Sequence, residues 1–268
     1  MMNRQRYQFE SGITPIGIAF YIVPYINAMT RSGTMEEKIL MFEAMLEWRS
    51  NELIPSTKRG CKGQVEPRHE QAGRTCVNVK SRQKKVQDEG LAYIENIIEE
   101  QNLLDNKMLI VRVPEEAIDK NLAGLVANQL ANKYARPTLV LRIFTDENGQ
   151  VTYSGSGRNY SRSRLDNLRQ LVLDTGYASF AQGHNSAFGC SITANNFDNF
   201  LAKTNEELAD FDFSPCYNVD LEVSEQELTE QEVFAIGSNN DIWGQGLEEP
   251  LIAITNIRIT SDNIALLG

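Results

Sequence analysis

The sequence predicts an α/β protein: a mixed sheet flanked by helices, preceded by a long connecting helix and followed by the start of a small β-rich unit. Three observations support this fold class. Apolar strand-like runs alternate with helical periods over residues 107–208, and a long amphipathic stretch precedes them. After Pro215 the chain changes to short strand-like runs, one acidic helical segment and a glycine-rich turn.

The region ahead of the sheet predicts two helices separated by a loop. Thr34 is a suitable N-cap for a helix over residues 35–48. Residues 55–78 combine prolines, glycines and basic residues, which indicates a loop, and residues 79–104 have the apolar stripe of a long helix. Ile39, Phe42 and Leu46 lie on one face of the first helix.

The central region predicts strands that alternate with helices. Asn148-Gly149 is a strong hairpin signal between two of the strands. The second of these strands runs into Gly155-Ser-Gly-Arg158, and His184 lies in a small-residue loop ahead of a later strand. The expected strands lie at 107–113, 137–144, 151–158 and 190–193, and the expected helices at 120–134, 164–174 and 196–208.

Composition is that of a globular protein. The chain has 268 residues, 41% hydrophobic and 23% charged, which is enough for one large or two ordinary domains. No apolar run reaches the roughly 18–20 residues of a membrane-spanning helix, and the N-terminus leads into no signal-peptide region. We therefore expect a cytoplasmic protein without a membrane partner.

Cysteine and histidine positions argue against a metal centre in this chain. The four cysteines lack CxxC spacing, which favours free thiols in a reducing compartment. Cys61, His69 and Cys76 offer three zinc ligands, but no fourth ligand follows at a convincing spacing. No DxD, DHH or HExxH run is present, so we expect no metal site and no catalytic residue for metal-dependent hydrolysis.

Charge is distributed very unevenly along the chain. The formal net charge is -10, yet residues 57–85 carry nine lysines and arginines against two acids. Residues 201–249 carry thirteen acids and one base. A local basic surface can therefore bind nucleic acid despite the net charge, although for any single charge a solvated helix face is the favoured explanation.

Two short segments have the residue types of an anion site. Gly155-Ser-Gly-Arg158 offers unobstructed backbone N–H groups beside a guanidinium, whose planar fork matches phosphate oxygens. His184 is flanked by small residues that let a backbone come close to a ligand. A plain turn and a structural histidine remain the alternatives for these two segments.

Five motifs resemble, in the same order, motifs of the RecJ-type single-strand-DNA-specific exonucleases of the DHH phosphoesterase superfamily. "YIVPYINAMTRSG" is similar to the family's Pro-Arg-Ile-Asn-Ala-Ala-Gly-Arg segment, and "NLAGLVANQLANKYARPTLVLR" resembles the opening of its DHH-associated domain. "YSGSGRN" and "AQGHNSAFG" are similar to its Gly-Ser-Gly-Arg-Ser and Gly-Gly-His motifs. "IWGQGLEEPLI" resembles the stretch that leads into its OB-type domain.

The resemblance implies three parts of the chain. Residues 1–104 would be an inter-domain connector with helices and a basic loop, and residues 105–214 the DHH-associated substrate-binding domain. Residues 215–268 would be an acidic segment leading into an incomplete OB-type domain. The catalytic DHH domain would be absent, as expected for a fragment or a split-gene product, and it would hold the Mn²⁺ or Mg²⁺ that this chain lacks.

The resemblance also implies a function and a set of site residues. The chain would clamp the phosphate backbone of single-stranded DNA for a DHH domain, from the same or a split gene, that hydrolyses phosphodiesters from 5′ to 3′ in DNA repair and recombination. Arg158 and His184 would hold phosphate. The remaining implied site residues are Gly155, Gly157 and Gly183, for close approach of the backbone, and Asn27 and Arg31, at the junction with the DHH domain.

Several positions depart from the family pattern. Tyr25 replaces an arginine, so the family's phosphate contact is not carried over to this position, although a tyrosine can stack on a base instead. Gln182 and Phe188 make the histidine motif bulkier, and the basic segment 57–85 has no counterpart in the family. Two other functions stay open: a non-catalytic nucleic-acid-binding or protein-interaction module, and a phosphoesterase of small substrates, which the OB-leading motif disfavours.

Overall fold

The computed structural model describes residues 6–9, 12–239, 241–244 and 246–265. It divides into two units: Ala28–Cys216, and a smaller one formed by Met1–Asn27 with Tyr217–Gly268. The helices are α1 (Pro15–Tyr21), α2 (Val23–Ser32), α3 (Met35–Met45), α4 (Glu47–Ser50), α5 (Arg68–Glu100), α6 (Ala123–Lys133), α7 (Leu168–Asp174), α8 (Phe197–Glu207) and α9 (Glu230–Gly237). The strands are β1 (Leu53–Pro55), β2 (Val65–Pro67), β3 (Leu109–Pro114), β4 (Thr138–Thr145), β5 (Val151–Arg158), β6 (Ala178–His184), β7 (Ala187–Thr193), β8 (Leu221–Ser224) and β9 (Ile252–Thr255).

A five-stranded mixed sheet is the centre of the larger unit, which confirms the predicted fold class. Its strand order is β3-β4-β5-β7-β6, with β3 and β4 parallel and the other pairs antiparallel. The predicted hairpin between β4 and β5 is present, and Gly149 has a φ of 78°, which glycine adopts without strain.

Helices cover the sheet on two faces, and alternate residues of each strand are buried on alternate faces. Leu139 and Leu141 of β4 pack into the core formed with α7 and α8. Val140 of the same strand packs into the core formed with α5 and α6. We call the side of the sheet that packs against α7 and α8 the α8 face. The side that packs against α5 and α6 is the α6 face.

Helix α5 begins at Arg68, eleven residues before the predicted start at Val79, so the predicted loop over 55–78 is wrong in its second half. Pro67 immediately precedes the helix, where its missing N–H costs nothing. The first half of the segment is the β1–β2 hairpin. Prolines and glycines there mark a turn and a helix start rather than a continuous loop.

Ion pairs bind most of the basic segment to the rest of the unit. The Arg74 guanidinium pairs with Glu66, whose side chain is only 4% exposed, and Lys58 Nζ lies 3.1 Å from the same carboxylate. Arg68 pairs with Glu43 and Glu52. Of the nine basic residues, six form ion pairs: Lys58, Arg68, Arg74, Arg82, Lys84 and Lys85.

Helix α3 has the predicted N-cap, since Thr34 and Glu37 form a capping box, but it ends at Met45 instead of Trp48. The face that contains Ile39, Phe42 and the half-buried Leu46 is largely exposed. Ile39 is 49% and Phe42 63% exposed, whereas Met41 is buried against the rest of the unit. Ile39 and Phe42 therefore lack a covering element among the described residues.

The smaller unit contains β8, β9 and α9. The two strands pair in parallel, and Thr229 and Glu232 form a capping box at the start of α9. The short strands and the single acidic helix agree with the sequence prediction. The OB-type character of this segment remains a prediction.

The Glu66 cluster generates a stability prediction. Hydrogen bonds from Arg74 are the largest cause that holds the pKa of Glu66 far below its usual range. We expect Glu66→Gln to lower the free energy of unfolding by about 2–3 kcal/mol, because it leaves Arg74 without its carboxylate. The more exposed Glu70, which lies 3.5 Å from Lys58, provides the control: Glu70→Gln should cost less than about 1 kcal/mol.

The same cluster predicts a pH dependence. The folded-state pKa of Glu66 lies below its unfolded value, so this stabilisation is complete above the unfolded pKa of about 4.3 and is lost as the pH falls below it. Urea unfolding should show a difference between wild type and Glu66→Gln that is smaller at about pH 3 than at about pH 7. A difference that grows on acidification would contradict this account.

Candidate nucleic-acid interface

The sheet register brings Arg158 and His184 onto one row. Arg158 at the end of β5 pairs with Ala187 of β7, and Ala187 pairs with His184 of β6. Directly paired residues point to the same side of a sheet, which here is the α6 face. Neighbouring strands lie about 4.8 Å apart, so the two Cα atoms are separated by roughly 10 Å.

Arg158 is half-buried at the N-terminal end of α6. Its Nη1 donates to the Gly157 carbonyl at 2.6 Å, and its Cζ lies 3.1 Å from the position that a Cβ would occupy on Gly124. Burial and, after it, the nearby Arg31 lower the pKa of Arg158. No ion pair joins Arg158 to a carboxylate of the described residues. An anion bound here would relieve the repulsion between the two cations.

His184 is exposed at the end of β6, so the predicted loop around it is wrong: the segment is a tight β6–β7 hairpin. Two hydrogen bonds anchor the turn. Asn159 N donates to the Ser186 carbonyl at 2.9 Å, and Arg169 N donates to the Asn185 carbonyl at 3.0 Å. The backbone of the turn beside His184 is therefore anchored, and the imidazole is exposed.

Small and polar residues form the sheet surface around this row. Ser154 and Ser191 share a 2.7 Å hydrogen bond between their hydroxyls. Beside them on the α6 face is Gly189, where an added Cβ would meet nothing closer than the Gly155 carbonyl oxygen, 3.7 Å away. On the edge strand β6, Phe180 is 43% exposed, and Gln182 is exposed as well. Small and exposed residues therefore line this part of the sheet.

The glycines that the sequence singles out have packing roles. A Cβ on Gly157 would lie 2.6 Å from the Phe188 ring, and a Cβ on Gly155 would lie 2.9 Å from Leu141 Cα. Gly183 has a φ of 135°, a region that other residues rarely adopt. The bulky Phe188 therefore fills the space that Gly157 leaves. Whether Gly155, Gly157 and Gly183 also allow a ligand to approach remains a prediction.

Gly189 is one of the small residues around His184 that the sequence indicates for close approach, but its position on the same face as Arg158 was not predicted. It lies two positions after Ala187 on β7 and so faces the same side as Arg158 and His184. Side chains alternate between the two faces of a strand. This rule gives the orientation of Gly189 only once residues 187–193 are known to form a strand.

The remaining predicted residues lie on α2. Arg31 is exposed in the last turn of this helix and is close enough to Arg158 to affect its pKa. Asn27 belongs to the smaller unit. Its part in the site remains a prediction, as does the base-stacking role of Tyr25.

The described part of the chain contains no group of three or more His, Cys, Asp or Glu side chains that could hold a metal ion. All four cysteines are free thiols, and burial raises the pKa of Cys76 to about 11 and that of Cys190 to about 12. Neither thiol is therefore ionised enough near neutral pH to act as a nucleophile. No helix among the described residues has both the length and the apolar character needed to cross a bilayer.

Comparison with known proteins identifies the domain that contains this surface. Residues 105–210 match the DHHA1 domain family. The chain is 38% identical over 270 residues to YorK of Bacillus subtilis (strain 168) and, with the same figures, to yorK of Bacillus phage SPbeta. Both are provisionally named single-strand DNA-specific exonucleases, the first of SPbeta prophage origin.

The alignment covers 100% of this chain but 46% of each of these relatives, so the chain spans about half their length. Among solved structures, RecJ from Thermus thermophilus, crystallised with Mn²⁺, has a similar fold. The TM-score is 0.55 at 20% identity, over 90% of this chain and 32% of RecJ.

Gly157 and Gly189 should respond differently to replacement by alanine. Gly157→Ala should lower the free energy of unfolding by about 1–3 kcal/mol, because the new methyl group overlaps the Phe188 ring. Gly189→Ala should change it by less than about 0.5 kcal/mol, because its methyl group projects into open space. Urea unfolding of both variants tests this, and equal destabilisation would contradict the assignment of the two faces.

Proposed function

Because the chain is a RecJ-type member of the DHH superfamily and carries a DHHA1 domain, we propose that it holds the phosphate backbone of single-stranded DNA for an exonuclease. The catalytic DHH domain, with its Mn²⁺ or Mg²⁺ ions, would lie outside this chain. The observation that supports the proposal best is the row of Arg158, Ala187 and His184 on an open sheet surface, with Arg31 beside it.

The chemistry of this row suits a phosphodiester. Arg158 is a cation without a carboxylate partner among the described residues, and guanidinium groups bind phosphate oxygens through two parallel hydrogen bonds. His184 adds a ring N–H donor. Small residues between them, including Gly189, leave room for the backbone of a strand. Contacts of this kind position a strand without reading its sequence.

The exposed aromatic ring on the edge strand suits a single strand rather than a duplex. Phe180 lies on β6 on the same face as His184. Bases of a single strand are free to stack on aromatic side chains, whereas paired bases are not. The four free thiols suit the reducing cytoplasm, where we expect the protein to take part in DNA repair or recombination.

The exposed apolar stripe of α3 favours a second candidate function, a protein-interaction module without catalysis. Met35, Ile39, Phe42 and Met45 recur at helical spacing and are all exposed. Contiguous apolar surface on one helix face is typical of a protein contact. Both functions require a polypeptide partner, and they differ in whether that partner is a nuclease domain.

Addition of a separately produced RecJ-type DHH domain tests the two candidates. With Mn²⁺ and 5′-labelled single strands, the mixture should degrade DNA from the 5′ end faster than the DHH domain alone. No gain over the DHH domain alone, in a mixture where the two polypeptides bind each other, would favour the interaction module.

Single substitutions test the phosphate-binding row. Arg158→Ala should weaken binding of a labelled oligothymidylate by about 1–3 kcal/mol at low salt, because a charge-assisted contact is lost. His184→Ala should weaken binding without changing thermal stability, because its side chain is exposed. Fluorescence anisotropy measures the binding, and thermal unfolding measures the stability.

Lys203→Ala is the matched control for the loss of one positive charge. Lys203 lies on α8, which covers the opposite face of the sheet, and it pairs only with Glu206 and Glu207 among the described residues. Its removal should leave the affinity nearly unchanged. Unchanged affinity of Arg158→Ala, or a His184→Ala variant that is destabilised rather than impaired in binding, would refute the assigned roles.

A further inference from the structure

Lys80 differs from the other basic residues of the segment 57–85. Six of the nine form ion pairs, and Arg59 and Lys62 are exposed in the β1–β2 hairpin. Lys80 is half-buried on α5 and has no carboxylate partner among the described residues. A lysine in this position loses hydration without gaining a counter-charge.

A hydrogen bond links α5 to the end of α2 close to Lys80 and Arg31. Arg82 Nη2 donates to the Ser32 carbonyl at 3.3 Å and pairs with Glu37 at 2.8 Å, which holds this turn of α5 against the residue that follows Arg31. Burial, then Arg31 and then Lys84 lower the pKa of Lys80. Lys84 Nζ lies 2.8 Å from Asp88 Oδ2, so its charge is neutralised. Of the two cations that lower the pKa of Lys80, Arg31 is therefore the one without a carboxylate partner among the described residues.

Arg31 is thus close to two cations at once. It lowers the pKa of Arg158 as well as that of Lys80. Three positive side chains, two of them half-buried, share a region in which no described carboxylate pairs with any of them. Like charges repel most strongly where water is partly excluded, so this arrangement is stabilised when an anion binds.

We propose that Lys80 and Arg31 bind a second phosphate of the strand, adjacent to the phosphate held by Arg158, so that the site requires at least two phosphates in succession. This inference rests on the proposed function. Lys80 would then contact the ligand directly, whereas most of the other charges of the segment 57–85 form ion pairs within the protein. The ligand is then a phosphodiester chain, as distinct from a mononucleotide or free phosphate.

Anisotropy with a labelled oligothymidylate, measured over a range of salt concentrations, tests the inference. Lys80→Ala should weaken binding on the order of tenfold at low salt and reduce the slope of log K against log salt by about 1. Lys85→Ala removes the same charge from an exposed position of the same helix, where Lys85 is 3.9 Å from Glu89. This control should leave both the affinity and the slope nearly unchanged.

Competition by short ligands separates the possible sources of phosphate. The dinucleotide pdTpdT should displace the labelled strand less well from Lys80→Ala than from wild type. Thymidine monophosphate and inorganic phosphate should compete equally well with both proteins, because one phosphate occupies only the Arg158 position. Equal competition by pdTpdT would overturn the inference.

The outcomes also distinguish this inference from the proposed function. If Arg158→Ala weakens binding and Lys80→Ala does not, the second phosphate site is refuted and the proposed function stands. If neither variant binds less well, both are refuted. Should Lys80→Ala fail to fold, acetylation of Lys80 in the wild-type protein with and without the oligothymidylate provides the test: protection of the amine supports the inference, and unchanged acetylation overturns it.

Discussion

The pairing register of β5, β7 and β6 is the constraint on which the candidate site depends. It aligns Arg158, Ala187 and His184 on the α6 face and turns Gly157 and Phe188 toward the α8 face. A slip of one residue would exchange the two sets and place the cation in the apolar core. The fit of Phe188 over Gly157, with the hydroxyl pair of Ser154 and Ser191, therefore fixes the register and with it the chemistry of the surface.

The basic residues have different roles from those that their distribution along the sequence suggests. The basic segment is the densest cluster of positive residues, yet most of its members neutralise carboxylates such as Glu43 and Glu66. The cations that have no described carboxylate partner and lie close together, Arg31, Lys80 and Arg158, come from three distant parts of the sequence. An acidic protein can in this way present a small positive surface to a polyanion.

Much of the central sheet could be predicted from the sequence, because its signals are local. Apolar runs locate β3 and β4, and Asn148-Gly149 locates the hairpin that follows them. The predictions that were wrong concern segments whose structure depends on contacts between residues far apart in the sequence. Pro67 marks the start of α5 only because the β1–β2 hairpin and the Glu66 ion pairs support that turn, and no local pattern reveals those partners.

The same limit applies to the site. Arg158 and His184 could be chosen from their residue types and neighbours, but that they share a row depends on strand pairing across β7. The packing roles of the glycines, the part of Gly189 and the proximity of Lys80 to Arg31 are tertiary features. The exposed stripe of α3 has the pattern of a buried helix, because sequence periodicity shows that a face is apolar and not what covers it.

The α6 face of the sheet, at the end of β5 and the β6–β7 hairpin, is the surface that we expect to contact a phosphodiester strand. Chemical-shift mapping by NMR during titration with an oligothymidylate tests it most directly. We predict the largest shifts at the Arg158 and Gly189 amides and the His184 ring, with little change in α7 and α8. Shifts concentrated on α8, or within residues 217–265, would contradict the account.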